Sequence, residues 1–191
     1  GKLVEAHVNT VTENRGARTT ITTIIHMRNL RVLYNVYFCN PIRPVIWADC
    51  IARSDFHKFT EEKLLDFHDV VTCDMNKDQQ DLLETTLDIC IAASDLSAPF
   101  CKNLSSTRAP ELLIKSLEAN TQRSPNWMDH EKTTTFCRYC VALFYNMFRY
   151  CDKSELDMLC TRRLVRQLKE LIKFGSDFMK IGSICTLGMA A

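Results

Sequence analysis

The sequence predicts an all-α domain. Apolar residues recur at helical spacing behind start signals from Thr60 onward, and one segment near residues 132–151 is apolar around almost its whole circumference. A balance of 46% hydrophobic to 25% charged residues is that of a chain with a packed core, not a disordered one.

The first third is the least regular. Thr, Val, Ile and Tyr dominate it and favour strands, so the stretch VNTVTENRGARTTITTII, within residues 4–26, admits a β-hairpin turning at Asn14 to Gly16. Against this, Ile21, Ile24, Ile25 and Arg28 fit helical spacing, as do Val32, Leu33, Val36 and Tyr37, and Pro41 and Pro44 end the run. A long helix is favoured there. VIWADCIARSDFHKF reads as a second, short helix.

From Thr60 the signals agree. Thr60 before Glu61 and Glu62 reads as a cap, with Leu64, Leu65, Phe67 and His68 along one face. Asn76 with Gln79 forms a capping box ahead of Leu82, Leu83, Thr86, Leu87 and Cys90. SDLSAPFCKNLSST reads as a connection broken by Pro99. Pro110 then opens a helix through Leu113, Ile114 and Leu117 that stops at Asn120.

After a loop around TQRSPNWMDH comes the apolar segment from Lys132 to Cys151. Phe136, Cys140, Leu143, Phe144 and Met147 crowd one side, and only Arg138, Ala142 and Arg149 form a polar wedge. Such a helix is expected at the centre of the core. Ser154 with Asp157 caps a last long helix through Met158, Leu164, Leu168 and Leu171, which Gly175 or Gly182 ends or interrupts.

About seven helices of roughly 10 to 20 residues come close to the ~40-residue helix pair of HEAT and armadillo repeats. Stacked helix pairs of that kind are favoured over a globular helical bundle on element lengths alone. At 191 residues one domain spanning 1–191 is expected, since folding at this size buries roughly 70% of the chain's surface. The opening GKLVEAHVNT has no initiator Met and no signal core, and reads as part of a larger protein. Stretches such as CVALFY fall far short of the roughly 20 apolar residues that span a bilayer, so no membrane partner is expected.

Ten cysteines call for a choice between disulfides, metal and core filling. Most sit in apolar helical patterns, where free cysteine acts as a small hydrophobe, so reduced thiols in the nucleus or cytoplasm are expected. The sequon Asn103-Leu104-Ser105 is the one feature of secreted type. Cys137 and Cys140 form a CxxC, but inside the aromatic helix and with no second CxxC. Cys151 and Cys160 would complete a zinc set only if neighbouring helices turned them inward together.

His68-Asp69, with His26 upstream and Asp129 or Asp152 downstream, resembles the ligand order of metal-dependent phosphohydrolases of the HD type, whose metal would activate a water. His68 falls on the apolar side of its helix, so a core histidine explains it more simply. Asp55, His57, Asp66, His68 and Asp69 are metal-like in composition but spread over several faces, as a solvated rim would be. No Gly-rich phosphate loop, G-x-S-x-G or HExxH occurs. No catalytic residue, metal or cofactor is assigned.

The best surface feature lies near the C-terminus. Arg162, Arg166, Lys169 and Lys173 recur at i, i+4, i+7 and i+11 and share a sector of about 60° on a helix, opposite Leu164, Leu168 and Leu171. A solvated face is the simple reading. As a site, the stripe fits an acidic or amphipathic protein segment better than nucleic acid, because no exposed aromatics interleave and the net charge is only +1. The functional expectation is therefore a protein-interaction module of a larger intracellular protein, with a groove or the stripe as its contact. Nucleic-acid binding and HD-type hydrolysis are the alternatives.

Overall fold

The computed structural model describes residues 1–13, 21–38, 43–68, 70, 72–123 and 126–191. They form eleven α-helices and two single 3-10 turns, with no strand among the described residues. The all-α expectation holds. No helix is long and apolar enough to cross a membrane.

The first two helices are α1 (Lys2–Glu13) and α2 (Ile21–Phe38). Val4, Val8 and Val11 bury one face of α1, a spacing of four and three that a helix satisfies and a strand does not. The hairpin alternative for residues 4–26 is thereby corrected wherever the chain is described; its turn at Asn14 to Gly16 lies outside the described residues. Met27 and Leu30 anchor α2, and the Trp47 indole of α3 (Arg43–Arg53) donates to the Leu30 carbonyl at 3.1 Å.

The helix expected to start at Thr60 starts earlier, as α4 (Phe56–Phe67). Ser54 makes the break: its hydroxyl donates to the Ile51 carbonyl at 2.6 Å and accepts from the Phe56 amide at 3.2 Å, which competes with continued helix. Thr60 is no cap. It is buried inside α4 and donates to the Phe56 carbonyl. α5 (Lys77–Leu96) begins with the expected Asn76–Gln79 box and buries Leu82, Leu83, Thr86, Leu87 and Cys90.

Pro99 does not break a helix. It lies in the first turn of α6 (Ala98–Ser105), where a missing N–H costs nothing, and Ser97 caps that turn by accepting from the Phe100 amide. Nor does Asn120 stop α7 (Ala109–Arg123). Its side chain is fully buried, accepts from the Thr72 amide and hydroxyl at 2.9 and 2.8 Å, and donates to the Ser116 carbonyl at 2.8 Å.

α8 (Glu131–Tyr150) is the central helix, packed against α5, α6, α7 and the C-terminal helix, with Arg138 and Arg149 exposed on its outer wedge. The single long helix expected after it is three: α9 (Lys153–Leu159), α10 (Arg162–Phe174) and α11 (Asp177–Met189). The cap of α9 is Asp152 paired with Glu155, while Ser154 only donates to Asp152 Oδ1. Thr161 starts α10 by accepting from the Leu164 amide, and the Gly175 amide closes it on the Leu171 carbonyl. Gly182 does not interrupt α11; it lets that helix approach Val141 of α8.

Candidate functional site

α10 is the most sharply two-sided helix in the chain. Leu164, Gln167, Leu168 and Leu171 are buried, whereas Arg162, Arg166, Lys169 and Lys173 are all exposed. The expected stripe is thus present on a docked helix, but its members are not equivalent. Arg166 donates to Glu118 Oε1 of α7 at 2.7 Å, and the neighbouring Arg163 holds both oxygens of the same carboxylate. Glu118 is only 13% exposed, and Arg163 first, then Arg166, hold its carboxyl below the usual value against the opposing effect of burial.

Arg162, Lys169 and Lys173 make no ion pair among the described residues. Lys173 Nζ lies over the Phe174 ring, 4.6 Å from its centroid, so one partly exposed aromatic does border the stripe. Five cations on or beside this face, set against Glu118 and Glu170, leave a surplus of three positive charges. A rigid helix with such a surplus selects for negative charge.

Arg163 was not among the sequence candidates, nor was the pocket beside it. This depression of about 350 Å3 lies between the α6–α7 connection and α9. Pro110, Ile114, Met158 and Leu159 supply apolar wall, and Lys102, Arg108 and Arg163 stand around it. Glu111 and Glu155 also border it, but Glu111 pairs with Lys115 and Glu155 is used in the α9 cap.

A second groove, about 490 Å3, runs between α2, α5, α8 and α11. Phe178, Ile181 and Cys185 form one lip and Tyr34 the other. Its ionic groups are matched internally, Arg31 with Asp88 at 2.9 Å and Arg149 with Asp95 at 3.2 Å, so it offers little net charge by which to choose a partner.

The residues considered for chemistry are dispersed. His68 is not a core histidine: α4 ends at Phe67, and His68 Nδ1 donates to the Leu65 carbonyl at 2.7 Å at the helix end. Asp69 lies outside the described residues. His26 meets His7 of α1 instead, Nδ1 to Nδ1 at 2.7 Å. Asp55 pairs with the exposed Lys58, whereas Asp66 pairs with the buried Lys63, so the cluster is only in part the solvated rim expected of it.

Among the described residues no three His, Cys, Asp or Glu side chains converge as a metal site. Cys137 and Cys140 are free thiols inside α8, and burial pushes Cys137 up to about 12 and Cys140 well above its ordinary value. Of the remaining cysteines whose side chains are described, Cys50, Cys90 and Cys101 are buried, Cys151 and Cys160 half-buried and Cys185 exposed, all free.

No family model, curated protein or solved structure matches this chain.

Proposed function

We propose that the chain is a protein-interaction module that docks an acidic segment of a partner protein on the exposed face of α10. The observation that carries this reading is the contrast within one helix: leucines buried in the core hold it in place, and Arg162, Lys169 and Lys173 face water without carboxylate partners among the described residues. Desolvating such cations is offset only by anionic groups, so the face rejects neutral partners and accelerates encounter with acidic ones. The free, buried thiols support a reducing compartment, nucleus or cytoplasm, as the setting.

A folded acidic polypeptide and a nucleic acid differ in how they respond to salt. Binding to phosphates releases condensed counterions and weakens steeply with salt. Within α10 the aromatic side chain is Phe174 alone, which supplies no ladder for successive bases and favours protein over nucleic acid. The test is titration of an acidic peptide and of a single-stranded oligonucleotide of equal charge against the wild type and Lys169→Glu/Lys173→Glu. The reading requires peptide binding that the double variant abolishes. Binding of the oligonucleotide alone replaces it with the nucleic-acid reading.

A further inference from the structure

The stripe and the pocket meet at the N-terminal end of α10. Thr161 and Arg163 line the pocket, the stripe begins at Arg162, and Arg163 shares Glu118 with Arg166. A ligand lying along the cations therefore reaches an apolar cavity at one end. Lys102 and Arg108, at the rim, make no ion pair among the described residues and extend the positive field to the cavity mouth.

We infer that the pocket receives one apolar side chain of the acidic segment, so that the module recognises a bipartite motif: an apolar anchor followed by acidic residues. This rests on the docking role of α10 proposed above and adds the register of the ligand. The eleven steps from Arg162 to Lys173 rise about 16 Å at ~1.5 Å each. An extended peptide covers that distance in about five residues. A volume of 350 Å3 lies at the small end of ligand pockets and has room for an apolar side chain. Apolar wall contributes burial that does not depend on charge, whereas the stripe contributes charge that discriminates. Neither alone defines a sequence motif; together they fix which end of the motif lies at the pocket and which part lies along α10.

The wall is also accessible for testing. Met158 is 72% exposed, so its replacement spares the core, and α9 has only Leu159 buried.

Fluorescence polarisation with synthetic peptides separates the two contributions. A leucine followed by five aspartates is compared with a glycine followed by five aspartates and with a leucine followed by five asparagines. The leucine-aspartate peptide is expected to bind at least tenfold more tightly than either relative. Met158→Glu should erase the advantage over the glycine peptide, and Lys169→Glu/Lys173→Glu should weaken both aspartate peptides. Equal binding of the leucine and glycine peptides overturns the anchor inference and leaves the docking role standing. If no aspartate peptide binds, both fall.

Discussion

Gly182 of α11 lies so close to Val141 of α8 that a Cβ at position 182 would overlap the Val141 γ-methyl group. The backbone of α11 is thus held against the Val141 side chain of α8, and both residues line the larger groove. Gly182→Ala should destabilise the fold by about 1–3 kcal/mol, overpacking outweighing the ~1 kcal/mol gain in helix propensity. Gly188→Ala, in the same helix with open space at its Cβ, should be neutral or slightly stabilising. Denaturant midpoints of the two variants make the comparison.

Asn120 ties α7 to the 3-10 turn at Thr72–Asp74. Asn120→Ala leaves the buried Thr72 amide without its acceptor, and a cost of about 1–3 kcal/mol is expected. Asn120→Asp should not restore stability near neutral pH, because the carboxylate oxygen facing the Ser116 carbonyl would replace a donor with an acceptor. Thermal melts of both variants measure this.

Within the basic stripe the residues separate by their partners. Arg166→Glu places a second carboxylate beside Glu118 and should lower stability, by up to ~1 kcal/mol for so exposed a pair. Lys169→Glu/Lys173→Glu breaks no ion pair among the described residues, losing only the exposed Lys173–Phe174 contact and a favourable charge in the last turn of α10, and should lower the melting temperature less than Arg166→Glu does. A melting shift in the second variant as large as in the first would contradict the assignment of Arg166 as the structurally engaged member.

Two pH windows follow from the shifts. Burial first, then the neighbouring His26, lowers the pKa of His7 from 6.5, so the folded chain binds that proton less readily than the unfolded one. Stability is complete above 6.5 and falls as the pH drops through the lowered value. Glu118, lowered from 4.5 by its arginines, contributes in the same sense in a more acidic window. His7→Gln should flatten the upper limb of the stability profile without moving the lower, and hydrogen exchange in α1 should report it locally.

Cys185 is the exposed described cysteine, on the lip of the groove between α2, α5, α8 and α11. Thiol alkylation of the folded chain should modify it, whereas Cys90, Cys101 and Cys137, pushed up to about 12 by burial, should resist. Peptide mapping after brief treatment at neutral pH distinguishes the sets.

How much could be read from the sequence depended on how local the cause was. The Asn76–Gln79 box and the apolar circumference of α8 need no residue outside their own helix, and both stand as expected. The stripe was legible for the same reason. Where two competing caps fell in one segment, the register slipped: Ser154 with Asp157 has the spacing of Asp152 with Glu155, and only the folded chain shows which pair bonds. Ser54, Ser97 and Thr161 punctuate the chain through one or two local side-chain bonds that leave no periodic trace. Arg163 acquires its role from Glu118, 45 residues away, and the pocket from walls on opposite sides of α8 in sequence.

The burial of the thiols has a practical consequence. A fold that buries five of its eight described cysteines is their protecting group: among those eight, an oxidant in the storage buffer meets Cys185 first. Unfolding exposes the buried thiols as well, and random crosslinks formed then would block the way back. Reductant is therefore needed at the refolding step far more than on the shelf, and exposure to air during that brief interval limits how much folded material is recovered.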